Sequence, residues 1–295
     1  MGFDIQGTKF LLSAQRRGVS FAQTATLGRQ ELFVDGRYLP RIFRRFGVPD
    51  STAQSSRLLA ASDGYAEPLL RWLGGEQIVS IDASAYEGTS VVHDMNLPIP
   101  EGLRAAFSVV IDGGTPEHIF NFPVAIKNCM EMVRPGGHVL LMTPANNFLG
   151  HGFYQFSPEL FFRIFSADNG FEVNRAVLAE TAPDAQWYEI VDPARAGRRV
   201  ELVNHRPAYL LIQARRLRQV PVLAVPPQQS DYTTLWQHPQ RRQTNSGERL
   251  RLGRRLLGAA GRRLRAAYRL VEPAVLADRR ARPDSEVFLK VDWHL

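Results

Sequence analysis

The sequence predicts an α/β fold: a doubly wound, mostly parallel sheet with a late antiparallel edge, plus a basic helical C-terminal arm. Three observations predict it. Short, nearly continuous apolar runs such as Ile78-Val79-Ser80-Ile81 and Val139-Leu140-Leu141-Met142 read as strands buried on both faces. Helical segments alternate with them, as parallel crossovers require. Thirteen arginines are gathered in residues 241–282.

The elements follow in order. A first helix is expected over 8–17 and a short strand at 24–27. An amphipathic helix follows over 38–46, then a polar, loop-like stretch from Pro49 to Ser56. A helix over 65–73 stops at Gly74-Gly75. Strands are expected at 78–82, 90–93 and 107–112. A helix over 121–133 stops before Pro135-Gly136-Gly137, and a strand follows at 138–142. Ser157 caps a helix with Pro158 in its first turn and Asn169-Gly170 beyond its end. Strands at 171–179 and 208–215 form the late antiparallel edge. Residues 1–218 thus read as the main domain, 219–245 as a Pro-rich linker or strap, and 246–295 as a basic amphipathic helix and tail. Val287–Val291 reads as a strand or an extended segment.

Composition removes several classes. The 295 residues are 44% hydrophobic and 22% charged, which fits a folded chain. One cysteine excludes a disulfide scaffold and a Cys-based zinc site. No apolar run reaches the roughly 18 residues of a membrane span, and Met1-Gly2-Phe3-Asp4 lacks a signal-peptide pattern, so a cytoplasmic protein is expected. The net charge of +7 is local: residues 241–282 carry 13 Arg and three acids, while the rest holds 23 basic and 26 acidic residues. On the expected helix 246–271 most arginines fall on one face and leucines on the other, which suits a protein partner such as a dimer mate, or an anionic membrane surface at the inner face. Nucleic acid is disfavoured, because no aromatic residues interleave with the basic face.

In an open α/β sheet the ligand lies beyond the C-terminal ends of the strands. Those ends carry Gly28, Asp82, Asp94-Met95-Asn96, Asp112-Gly113 and Asn146-Asn147. Asp82 suits the hydroxyls of a ribose and Asp94 an adenine amino group; the alternative is that each acid caps its own turn.

These residues carry a resemblance. Residues 78–171 resemble class I S-adenosylmethionine-dependent methyltransferases of the type-11 and type-23 kind. Asp82 matches the family's ribose-binding acid. Asp94-Met95-Asn96-Leu97-Pro98 matches its adenine segment. Ser108–Asp112 with Glu117-His118, Val133–His138 around Pro-Gly-Gly, and Phe156–Leu160 with Gly170-Phe171-Glu172 match later motifs in order and spacing. The resemblance implies a Rossmann-like fold, S-adenosyl-L-methionine as cofactor, and methyl transfer to oxygen or nitrogen of a small or glycan-like polar acceptor. The first motif departs from the family: no Gly-x-Gly precedes Asp82. Either Gly28, or Asp63-Gly64-Tyr65 ahead of a helix, replaces that loop, or cofactor binding is lost. The second case leaves a catalytically inactive scaffold or interaction module at a membrane surface. A nicotinamide dehydrogenase is disfavoured for want of Gly-x-Gly-x-x-Gly.

Methyl transfer needs alignment and removal of the acceptor's proton. His118 and His151 are the candidate general bases, against the alternative of locally satisfied histidines. Asn146, Asn147 and Tyr154, in a loop with two glycines and several aromatics, are candidates for the acceptor site. Metal is not expected, since no His-x-x-x-His or paired acids stand at ligand spacing. Cys129 reads as core.

Overall fold

A computed structural model describes residues 2–237 and 283–294. Its centre is a nine-stranded sheet. The parallel part is built from β2 (Gln23–Leu27), β4 (Gln77–Asp82), β5 (Val91–Val92), β6 (Phe107–Asp112) and β7 (Val133–Pro144). The antiparallel part is β8 (Phe171–Glu180), β9 (Trp187–Ile190), β10 (Ala208–Arg216) and β11 (Phe288–Val291). The spatial order is β11-β9-β8-β10-β7-β6-β2-β4-β5. The chain winds outward from β2 in one direction to β4 and β5, and in the other to β6 and β7. That reversal of strand order makes the fold doubly wound and Rossmann-like, with its switch point between β2 and β6. The antiparallel region is wider than expected: β10 is inserted between β7 and β8, and β9 and β11 extend the sheet beyond them. A second, two-stranded sheet pairs β1 (Gly2–Phe3) with β3 (Glu31–Leu32) in parallel.

Alternation along the strands sends side chains into two cores. Val110, Val139, Leu141, Leu210 and Ile212 join Ala125, Ile126 and Cys129 of α5 (Phe122–Met132) on one face. Val109, Ile111, Leu140 and Leu211 join Phe10, Leu11, Leu12, Leu69 and Leu70 on the other, from α1 (Ile5–Arg16) and α4 (Glu67–Trp72). Cys129 is fully buried, and burial pushes its thiol up, consistent with core packing. Helix α1 approaches the sheet closely at Gly7, where a Cβ would sit 2.8 Å from Met142 Sδ.

Two expectations need correction. The polar stretch read as loop is mostly helix: α2 (Leu39–Arg45) is followed by α3 (Ser51–Ser62). The inward face of α3 is Ser51, Ser55, Leu58 and Ser62, so its helical spacing is carried by serines rather than apolar residues. Ser55 Oγ donates to Ser51 O at 2.6 Å, hiding its own polarity. The Pro135-Gly136-Gly137 turn lies within β7, which starts at Val133, because Gly137 packs where a Cβ would meet Ser108 O at 2.7 Å.

The segment after β10 packs on the same body. Val222 is buried, and the amide of Leu223 donates to Asn169 Oδ1 at 2.8 Å. Glu159, on α6 (Pro158–Ile164), accepts from the backbone N and Oγ of Ser230, at the start of α8 (Ser230–Gln237). Helix α7 (Pro193–Ala196) follows β9. The expected basic helix 246–271 lies outside the described residues. No described helix is long and apolar enough to cross a membrane.

His138, half-buried on β7 opposite Arg215, has its imidazole pushed down to about 4 by burial and then by that guanidinium. An imidazole depressed in the fold contributes stability that is complete above pH 6.5 and lost as pH falls through 4. The wild type should therefore lose about 2 kcal/mol relative to His138→Gln between pH 6.5 and 4. Urea titrations of both proteins across that range check it.

Candidate functional site

The parallel strands present their C-terminal ends along one edge, and the predicted residues divide into two groups there. The first group surrounds β4 and β5. Asp82 is half-buried, and its carboxylate accepts one long hydrogen bond, from Ser84 N at 3.3 Å. Asp94 is exposed, and its Oδ1 accepts from the backbone and side-chain nitrogens of Asn96 at 2.9 and 2.8 Å. Those bonds hold the Asp94 carboxyl below the ordinary carboxylate range. Met95 is buried beside Asn128, whose side-chain amide reaches the Met95 carbonyl at 3.3 Å.

The two candidate substitutes for the missing glycine loop meet each other. Gly28 has φ +71° and donates to Ile81 O at 2.7 Å, tying the loop after β2 to β4. The next residue, Arg29, lies over the Tyr65 ring at 3.7 Å, pairs with Glu67 at 2.7 Å and donates to Glu87 O at 3.0 Å. Arg29 therefore bridges the loop after β2, the start of α4 and the loop after β4. Asp63 and Gly64 form the left-handed end of α3, with φ +42° and +82°, and Gly64 O accepts from Leu32 N. The positive φ of Gly64 explains its identity; it shapes the turn that delivers Tyr65 to Arg29.

The second group surrounds β6 and β7. Asp112 is buried and turned into its own loop, accepting from Thr115 N at 2.9 Å and Gly114 N at 3.3 Å. Gly113 faces the chain's own residues: a Cβ there would sit 2.8 Å from the Phe3 ring and run into the Gln30 side chain. Its carbonyl accepts from Gly2 N at 3.1 Å, so strand β1 lies across this end of the sheet.

Glu117 and His118 sit in the short 3-10 turn Pro116–His118 that follows β6. Glu117 is 1% exposed. Burial, and then the neighbouring Asp112 carboxylate, push its carboxyl up, and burial likewise pushes Asp112 up. The loop after β7 carries His151 back to the same place. His151 Nε2 lies 3.6 Å from Glu117 Oε1, and the His118 and His151 rings meet edge-on at 4.9 Å. Burial, and then the nearness of His151, push the His118 imidazole down. Gly152, at φ +72°, permits the return, because a Cβ would stand 2.7 Å from Glu117 O. The two predicted bases, 33 positions apart in sequence, thus form one cluster with Glu117.

The acceptor-site candidates are engaged elsewhere. The Asn146 side chain donates to Leu202 O and Asn204 Oδ1, and that of Asn147 to Asn204 O, Asn204 Oδ1 and Arg206 O. Tyr154 OH donates to Phe120 O at 2.6 Å. These three hold loops together. What sequence reasoning missed is the exposed aromatic pair Phe120 and Phe153, edge-to-face at 5.8 Å on the residues flanking this cluster. The only signal was their position, two residues after each histidine.

No protein-family profile matches the chain, and no curated protein matches it. Among solved structures, a branched-chain polyamine synthase from Thermus thermophilus, complexed with N4-aminopropylspermidine and 5'-methylthioadenosine, is similar at 16% identity over 73% of this chain, with a TM-score of 0.38. This chain spans 57% of that protein's length. A putative S-adenosylmethionine-dependent methyltransferase from Listeria monocytogenes is similar at 15% identity over 71% of this chain and 99% of its own, with a TM-score of 0.39. An S-adenosylmethionine-dependent methyltransferase from Mesorhizobium loti is similar at 14% identity over 72% of this chain and all of its own, with a TM-score of 0.38. These likenesses are too distant to carry an argument; the fold rests on the sheet order itself.

Proposed function

We propose that the chain is an S-adenosylmethionine-dependent methyltransferase acting on oxygen or nitrogen of a small or glycan-like polar acceptor. One observation carries this reading: ribose- and adenine-type acids and a Glu-His-His cluster share the C-terminal edge of one parallel sheet. The residues at the adenosine end fit the cofactor. Asp82 accepts a single weak bond from its own chain and keeps lone pairs for ribose hydroxyls, and Asp94 stands at the next strand end. When bound, the cofactor supplies an electrophilic methyl group. His118 and His151, which neighbour Glu117, are the bases this reading assigns to the acceptor's proton. The exposed Phe120 and Phe153 rings offer the acceptor an apolar wall.

Calorimetry tests the reading. S-adenosylmethionine or S-adenosylhomocysteine should bind, and Asp82→Ala should weaken binding about 10- to 100-fold with little change in thermal stability, since bonds to a charged acceptor contribute about 1.5–3 kcal/mol. Absence of binding by either compound near millimolar concentration overturns it. A second reading, a non-catalytic module of the same fold, is favoured by Arg29 and by Phe3, which occupy space at the strand ends with the chain's own atoms. Contact of its basic segment 246–271 with an anionic membrane belongs to that reading, and salt-dependent co-sedimentation with anionic liposomes tests it.

A further inference from the structure

We propose that Glu117, His118 and His151 form a binding site for one divalent transition-metal ion of the zinc, cobalt, manganese or iron(II) class. One ligand atom from each residue lies within 4.8 Å of the other two. The closest measured approach, 3.6 Å between Glu117 Oε1 and His151 Nε2, is near the spacing of neighbouring ligands on one ion, about 3.0–3.5 Å for bonds of about 2.1 Å. No other such group of three occurs among the described residues.

A second observation points to a ligand independently. Glu117 is 1% exposed, yet its Oε2 has no hydrogen-bond partner. A buried, unpartnered carboxylate oxygen is costly unless something it binds restores the lost interactions. Gly114 on one side and Gly152 on the other hold the backbone close around that carboxyl, with ideal Cβ positions 3.2 Å from Glu117 Oε1 and 3.1 Å from Glu117 Cγ. The acid is thereby fixed, while both imidazoles lie on the exposed side and can turn the remaining distance.

The donor set selects the metal class. Two imidazoles and one carboxylate suit borderline transition ions, whereas magnesium and calcium require oxygen donors. Three protein ligands leave at least one position open, the arrangement of catalytic rather than structural centres. With an ion bound, the imidazole nitrogens that hold it no longer receive the acceptor's proton; the ion would instead acidify a hydroxyl or water in that open position. That role rests on the methyl-transfer reading; occupancy of the site does not.

The test uses the full chain, stripped with chelator and dialysed against Co2+ or Zn2+ at neutral pH, with bound metal measured by elemental analysis. One ion per chain is expected at micromolar free metal, together with a visible Co2+ spectrum of mixed nitrogen and oxygen ligation. Glu117→Gln should weaken binding at least tenfold. His151→Ala, at a half-exposed position, should do the same and change the spectrum. Sub-stoichiometric binding by the wild type, or binding unchanged in both variants, overturns the site. Calorimetry with S-adenosylhomocysteine on the same samples separates the two proposals: metal bound without the nucleoside leaves the site standing and removes the methyl-transfer reading.

Discussion

Gly152→Ala is expected to destabilise the fold by about 2–3 kcal/mol, and Gly150→Ala by only about 1 kcal/mol. Both glycines have positive φ, +87° at Gly150 and +72° at Gly152, so both substitutions incur the left-handed penalty of a Cβ. They differ in surroundings. Nothing lies within 4 Å of a Cβ on Gly150, but one on Gly152 would sit 2.7 Å from Glu117 O and 3.0 Å from Glu117 C. Those atoms cannot yield cheaply, because Glu117 O accepts from Phe153 N at 2.7 Å and the residue is buried. The difference between the two variants in chemical denaturation isolates the backbone collision. Equal losses would mean that the loop after β7 is not seated on Glu117.

Trp187→Ala is expected to cost about 3–5 kcal/mol. The residue is fully buried on β9, its Nε1 donates to Gln6 Oε1 at 2.8 Å, and the Phe10 ring meets it edge-on at 6.5 Å. Substitution leaves a large cavity between α1 and the antiparallel strands and removes the partner of a buried amide oxygen. Trp187→Phe should lose about 1–2 kcal/mol by keeping most of the volume. Urea midpoints should fall in that order at a common slope.

Much of the sheet is legible because β6, β7 and β10 are apolar on both faces and because Gly74-Gly75 and Ser157-Pro158 punctuate the helices next to them. Helix α3 is not, since serines occupy its buried face. Strands β1 and β3 are two residues each and carry no periodicity at all. At the candidate site, His118 and His151 are recognisable one at a time, but their meeting on Glu117 depends on the path of a loop bent at Gly150 and Gly152. Linear spacing carries no trace of a set whose members, Glu117 and His151, stand 34 positions apart. That the side chains of Asn146 and Asn147 tie down Leu202, Asn204 and Arg206 is not legible either, because those partners lie in a segment without pattern. Arg29 carries no motif; only the fold shows that it ties two loops to the start of α4.

Strand β11 changes how the basic region can be studied. Val287 and Phe288 are buried in the main core, and Val291 pairs with Trp187. A truncation that removes everything after residue 240 would strip an edge strand from the sheet together with the arginines. Any loss of binding in such a protein would confound charge with damage to the fold. Excising 241–282 and rejoining the flanks retains the edge strand, so the electrostatic contribution of the thirteen arginines becomes measurable on its own.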